Sequence, residues 1–466
     1  MYNLSRSTPE SVGIHSETIC KTISELNKLD SLNSIMILRH GHVCAEAWWK
    51  PYSPSVPHEL FSLSKSFVSS AIGCLLEEGK LKITDKLVSF FPEYADKIRD
   101  PKMKTMELRH LLMMGVGSGK YYQEFLTRKD IDPAELFLGQ ELEFEPGTHF
   151  QYNSAATYML ASVVRKVSGE NVREYLMPRL FEPLGIMPGV WETSCTGTNL
   201  GGWGFYLKTE DIAKFAQLLL DNGKFNGKQL LPADYLREAT SKQIDNSTNP
   251  LPDWRCGYGY QFWLSRHGFR GDGACGQYAL VLPEQDMAIA VTSGLSNMQN
   301  ILNVIWDHLL PAIHPESDTL PENPEKLAEL KELISTLEIP AVQGDLTKRC
   351  DPFTWNIEEN ACGITSVSLN CEKDRCVLDF QTRTGAEKIT AGFGFFCDNL
   401  VQFRDSLPRR GAARAAWQPD GTLQIQICCY ETPYRDTWSL DPEKKTISCQ
   451  QHLTFLHPAP GPLTVL

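Results

Sequence analysis

A serine and a lysine three residues apart, at the head of an apolar run, constrain this chain more than any other stretch. In Phe61-Ser62-Leu63-Ser64-Lys65-Ser66-Phe67, continued by the mainly apolar residues 68–76, composition and spacing predict a buried helix. Positions i and i+3 share a helix face, so the Ser62 hydroxyl and the Lys65 amine can meet. That is one route to a nucleophilic serine without histidine. Ser64 and Ser66 lack a lysine three residues on. At a helix start, the Ser62 N–H and the helix dipole would favour the negative charge of an attacked carbonyl. The plainer alternative makes Ser62 a helix cap and Lys65 a solvated surface residue.

Two further stretches can serve such a serine. Tyr152, in Glu145-Pro146-Gly147-Thr148-His149-Phe150-Gln151-Tyr152-Asn153-Ser154, could act as a base if a cation such as Lys65 came close. Taken alone it is a core aromatic. The segment Arg270-Gly271-Asp272-Gly273-Ala274-Cys275-Gly276-Gln277-Tyr278 leads into an apolar strand, and its small residues would let a substrate approach a main-chain N–H. As a lone glycine pattern it means a bulge or a turn.

The rest of the chain reads as a scaffold in two parts. An amphipathic helix over 8–28 precedes two β-rich runs, 34–39 and 42–48, joined by a hairpin signal at Arg39-His40-Gly41. Helices are predicted over 62–78, 106–113, 155–166, 209–221 and 297–310, the fourth opening on a capping Thr-Glu-Asp. Residues 115–119 are glycine-rich but lack phosphate-loop spacing, so a flexible loop is expected. Strand-like runs at 257–264 and 277–293 could pair with the early strands in one sheet. A proline-rich, acidic linker and a helix at 325–337 follow, then alternating β segments to the end. The expected organisation is a domain over 1–312, a linker and helix over 313–345, and an all-β domain over 346–466.

Composition narrows the function classes. With 42% apolar and 22% charged residues in 466, the chain is that of a soluble globular protein. A net charge of −12 argues against nucleic acid or an anionic membrane as partner, since either would reward a basic face. Residues 1–28 show no secretory h-region and no stretch has the roughly 18 apolar residues of a membrane span, so a cytoplasmic location is expected. The 14 cysteines are scattered and fit neither a zinc pattern nor a small disulfide scaffold. Reduced thiols are the expectation.

Five boxes in order carry a resemblance. They are Phe61-Ser62-Leu63-Ser64-Lys65, Leu108-Arg109-His110-Leu111-Leu112, Pro146-Gly147-Thr148 with Tyr152-Asn153-Ser154, Gly201-Gly202-Trp203-Gly204 with Asp211-Ile212-Ala213, and Gly273-Ala274-Cys275-Gly276-Gln277 with Leu282-Pro283-Glu284. Over about residues 8–312 the chain resembles the serine hydrolase superfamily of class C β-lactamases, DD-peptidases, related esterases and 6-aminohexanoate-oligomer hydrolases. The resemblance implies an α/β (α+β) fold, an antiparallel sheet flanked by helices with an all-helical insertion. It implies Ser62 as acylated nucleophile, Lys65 as its activator and Tyr152 as proton relay. The N–H groups of Ser62 and Ala274 would hold the oxyanion, with Asn153, Ser154, Asp272 and Gln277 facing substrate. No metal or cofactor is implied.

Two departures bear on substrate. Many members read Tyr-x-Asn where this chain has Tyr152-Asn153-Ser154, so either Ser154 or a shifted Asn153 replaces the amide. The third box opens on Gly271-Asp272-Gly273, without the lysine or histidine that would bind a penicillin or peptide carboxylate. The expected function is therefore a cytoplasmic serine hydrolase of a small ester or amide. A β-lactamase or D-peptidase, and a catalytically silent binding protein, are the alternatives. Asp272 could attract an amine or merely cap a turn, and the C-terminal domain could cover the cleft, form a homo-oligomer or only pack.

Overall fold

The structure, a computed structural model, describes residues 3–119, 124–313, 319–383, 385–402, 408–454 and 463–466. Two compact units emerge, Met1–Ala47 with Glu59–Ser335, and Trp48–His58 with Thr336–Leu466.

The first unit is built on a seven-stranded sheet. Its strands are β1 (Ser5–Arg6), β2 (Leu32–Arg39), β3 (His42–Trp48), β4 (Trp263–Leu264), β5 (Phe269–Gly273), β6 (Gln277–Leu282) and β7 (Met287–Ser293). The order β1-β3-β2-β7-β6-β5-β4 joins the late strands to the early ones. Ile289 of β7 lies opposite Ile37 of β2 in an antiparallel ladder. Every residue of β2 and β7 is buried, the pattern of central strands covered on both faces. The β2–β3 turn places His40 at φ 52° and Gly41 at φ 75°, the left-handed pair that a two-residue hairpin needs.

Helices α1 (Ser16–Asn27), α2 (Ser64–Glu77), α3 (Ser154–Ser168), α4 (Thr209–Leu220) and α5 (Gln299–Val304) supply the other layers. The helix expected over 8–28 is shorter. Gly13 at φ 72° ends a turn at Glu10–Val12, and the Glu10 carboxylate accepts from Ser16 N (2.7 Å) and Ser16 Oγ (2.9 Å) at the start of α1. Thr209 does not cap α4, because its hydroxyl is 2.7 Å from Ser34 Oγ on β2. Of the run 257–264 only β4 is a strand, since Gly259 crosses so close to Ala239 that a Cβ would lie 2.0 Å from its carbonyl. Residues 115–119 form a tight crossing rather than a loose loop: Phe144 N donates to Gly117 O at 2.8 Å, and a Cβ on Gly117 would meet Phe144 O at 2.3 Å.

The second unit is a nine-stranded sheet. Its strands are β8 (Phe353–Asn356), β9 (Ile364–Cys371), β10 (Arg375–Thr382), β11 (Gly385–Phe393), β12 (Cys397–Val401), β13 (Arg409–Trp417), β14 (Leu423–Cys428), β15 (Arg435–Asp441) and β16 (Thr446–Gln451). They run β8-β9-β10-β11-β13-β14-β15-β16, with β12 on β13. The sheet curls until its ends meet the chain terminus: Leu463 bridges Ile447 of β16, and Val465 bridges Ile357 just past β8. Fully buried Val367, Leu378, Ile389, Ile425 and Leu440, with Phe380 packed 4.7 Å from Trp438, provide its core.

The strip Trp48–His58 groups with this unit because Lys50 exchanges main-chain hydrogen bonds with Leu337 and Ile339 at 3.1 and 3.0 Å. The helix Pro324–Thr336 falls mostly in the first unit, with Leu330 buried. Residues 314–318 of the expected linker lie outside the described residues.

Candidate active site

Ser62 sits in the 3₁₀ turn Phe61–Leu63 that runs directly into α2, and neither turn nor helix has a side-chain cap. The turn is strained at Phe61, whose φ of 45° is unfavourable for a bulky residue and costs of order 1–3 kcal/mol. Ser64 Oγ donates to the Phe61 carbonyl at 2.6 Å, helping to hold it. The neighbouring strand also fits only glycine. A Cβ on Gly273 would lie 2.0 Å from the Leu60 carbonyl, and one on Gly271 would lie 2.3 Å from the Leu63 side chain. These two glycines let β5 lie against the turn that carries Ser62, leaving the next residue, Ala274, part-exposed beside it.

Lys65 is buried rather than solvated, with 1% of its surface exposed. Its Nζ is 2.9 Å from Ser62 Oγ, 3.0 Å from Ser154 Oγ and 2.8 Å from the Gly202 carbonyl. Burial pushes its pKa down from 10.5 to about 7, opposed by the charge of Asp272. Near neutral pH a large fraction is therefore the free amine. The Gly202 carbonyl can only accept, so it fixes one N–H, and the amine lone pair remains able to take the Ser62 proton. Tyr152 lies over the same group, its ring centroid 4.8 Å from Lys65 Nζ. That ring is stacked on Trp263 at 5.4 Å and meets Tyr258 edge-on at 6.2 Å.

The Tyr-x-Asn departure resolves in favour of Ser154 as the group on lysine. Asn153 faces away: its Oδ1 accepts from Ala155 N at 2.9 Å as the cap of α3, and it is fully buried. Gln277, expected to face substrate, is a brace. Its Nε2 donates to Ala274 O (2.9 Å) and Ser293 O (2.8 Å), and its Oε1 accepts from Ser293 N (3.2 Å). The amide thus locks the turn that presents Ala274.

Asp272 is engaged by a cation of its own strand. Its Oδ2 accepts from Arg270 Nε at 2.8 Å in a pair whose side chains are 5% and 0% exposed. Desolvation raises its pKa to about 6 against the opposing pull of Arg270 and Lys65. Arg270 is held further by the Asp253 carbonyl (2.8 Å), Ser265 Oγ (2.5 Å) and the face of Trp254 (4.4 Å). Its Nη2 has no hydrogen-bond partner among the described residues.

Two contributors escape sequence reasoning. The Gly202 carbonyl had a visible signal, the Gly201-Gly202 pair, because a Cβ at Gly202 would press on Ser154 at 2.9 Å. Gln261 had none. It is 2% exposed at φ 66° and joins three elements: its Nε2 donates to Leu111 and Leu112 carbonyls, its Oε1 accepts from Thr157 on α3, and its carbonyl accepts from Ser66 on α2.

The beta-lactamase family matches residues 33–299, more than half of the chain. The chain belongs to this family. A 6-aminohexanoate-dimer hydrolase of Paenarthrobacter ureafaciens is 25% identical over 288 residues, covering 56% of this chain and 72% of its own. Among solved structures, EstCE1, described as a hydrolase with promiscuous acyltransferase activity, matches with a TM-score of 0.52 at 17% identity over 62% of this chain and 99% of its own. SurE matches with a TM-score of 0.52 at 16% identity over 89% of this chain and 97% of its own. These structural likenesses show the beta-lactamase-like fold, and the second spans C-terminal strands as well. Members of the family are serine hydrolases.

Proposed function

We propose that this chain is a cytoplasmic serine hydrolase that cleaves a small ester or amide through an acyl-Ser62 intermediate. The observation that carries the reading is the buried Lys65 amine 2.9 Å from a part-exposed Ser62 hydroxyl. Ser62 Oγ attacks the substrate carbonyl as its proton passes to Lys65. The oxyanion is received by the N–H groups of Ser62 and Ala274. Tyr152 relays a proton to the leaving alcohol or amine, and water then releases the acid with the same groups reversed. The relative that hydrolyses an aminohexanoate dimer supports an amide substrate, and EstCE1 supports hydrolase chemistry on this fold. The engagement of Arg270 by Asp272 leaves that cation unavailable to a carboxylate close to the scissile bond, which supports a substrate other than a penicillin or a D-peptide. The scattered cysteines, whose spacing fits no disulfide scaffold, support the cytoplasm.

The test is covalent. A fluorophosphonate should add to Ser62, located by peptide mass spectrometry, and p-nitrophenyl acyl esters should turn over in wild type but not in Ser62→Ala. An unlabelled, inert protein would favour the silent binding alternative. Nitrocefin turnover with penicillin acylation at Ser62 would instead identify a β-lactamase or D-peptidase.

Ser154→Ala is expected to lower kcat about fivefold with little change in KM, since one hydrogen bond of about 1 kcal/mol that positions Lys65 is lost. Steady-state kinetics on an ester checks this, and an unchanged kcat would remove Ser154 from the machinery.

A further inference from the structure

The second unit contains a thiol pair that hydrolysis does not use. Cys350 precedes β8 and Cys371 ends β9, and their sulfurs are 3.7 Å apart across a separation of 21 residues. Both side chains are part-exposed, so a small reagent can reach them. The ladder brings the two segments together. Phe353 of β8 is paired with Leu369 of β9, so continuing that antiparallel register sets residue 350 opposite residue 372, next to Cys371, and the sulfurs meet where the chain has left the regular ladder.

Arg349 holds this arrangement from beside it. Its Nε donates to the Glu372 carbonyl at 2.8 Å and Nη2 to the Lys373 carbonyl at 2.5 Å, while its guanidinium lies 3.8 Å from the Phe393 ring centroid. The residue before Cys350 is thereby latched to the turn after Cys371. The same contacts set the two thiols apart chemically. Either sulfur can donate across the gap, and with Cys350 donating the Cys371 thiol is lowered, an effect to which the Arg349 charge adds. Cys350 is pushed up in return. Burial raises the other nearby cysteines, including Cys376 directly opposite Cys371 on β10. One thiol favours the thiolate and its neighbour within reach keeps its proton, which is the arrangement of an attacking and a resolving cysteine.

We propose that Cys350 and Cys371 form a redox-active dithiol that a low-molecular-weight disulfide such as oxidised glutathione closes into an intramolecular disulfide. The Cys371 thiolate attacks one sulfur of oxidised glutathione, a mixed disulfide forms and one glutathione thiolate leaves. That thiolate takes up the Cys350 proton, and Cys350 attacks the Cys371 sulfur. The protein disulfide forms and the second glutathione departs. The protein loses two electrons, the glutathione disulfide gains them, and no other reactant is needed. The bond would tie the edge strand β8 to β9 at its open end.

The experiment treats the reduced full-length protein with oxidised glutathione at pH 7.5, alkylates free thiols and digests without reductant. Mass spectrometry should find a peptide linking Cys350 to Cys371, no retained glutathione on Cys371, and reversal by a phosphine reductant. In Cys350→Ser the reaction should stop one step earlier, with one glutathione held on Cys371. The proposal is overturned if wild type retains glutathione on Cys371, if Cys371 links to Cys376, or if both thiols remain alkylatable. The wild-type digest decides the matter even if the variant fails to fold.

Discussion

Lys65→Met is expected to lower kcat/KM on a p-nitrophenyl ester by about 10³-fold or more, because Ser62 loses the base that takes its proton. The same residue should set the pH profile of wild type. Below its pKa of about 7 the lysine is charged and cannot accept a proton, so kcat/KM should fall tenfold per pH unit on the acid side. The depressed pKa is also a statement about stability. Between pH 7 and 10.5 the unfolded chain binds a proton at Lys65 that the folded chain does not, so this group's penalty on folding is full below pH 7 and disappears as pH rises to 10.5. A shift of that size corresponds to on the order of 5 kcal/mol. Wild type should therefore gain stability relative to Lys65→Met as pH rises from 7 to 10, in paired thermal or urea unfolding series. Met also leaves the Gly202 carbonyl and Ser154 hydroxyl without their amine, so the pH dependence of the difference is the diagnostic quantity. Parallel stability curves together with an acid limb far from pH 7 would sink the assignment of Lys65 as the base.

How much of this was legible in the residues depends on whether the controlling contact is local. The meeting of Ser62 and Lys65 follows from helix spacing alone, and α2 forms where that spacing put it. The β2–β3 hairpin is equally local, its turn written in His40-Gly41. The pairing of β7 with β2 could be inferred because both are continuous apolar runs that need cover on both faces. The charge of Arg270 was visible, but its destination was not. Two residues apart on a strand, Arg270 and Asp272 share a face, yet only the sheet and Trp254 show that this face is buried. Gln261 illustrates the limit more sharply. A polar residue in an irregular stretch carries no periodic signal, and its partners at 66, 111, 112 and 157 come together only when three separate segments have packed. The closure of the second unit's sheet depends on the last residues of the chain, which show no strand pattern of their own.

Breaking the Arg270–Asp272 pair from one side should cost about 3–5 kcal/mol of stability, the usual penalty for stranding a buried charge. Arg270→Met leaves the Asp272 carboxylate without its cation, and Asp272→Asn leaves a guanidinium buried against Trp254. The double variant strands neither charge, so its loss should be much smaller than the sum of the two, a coupling that urea unfolding of all four proteins measures. The catalytic consequence has a different pattern. Asp272 raises the pKa of Lys65, so Asp272→Asn should move the acid limb of kcat/KM to lower pH. Arg270→Met should move it the same way, because Asp272, already raised to about 6 by burial, loses the partner that holds it down and takes up a proton more readily. The double variant should keep the shifted limb while recovering stability. An acid limb that stays fixed in all three variants would mean that the pair only anchors β5 behind the turn, whereas a limb that moves while stability recovers separates its electrostatic hold on Lys65 from its part in the fold.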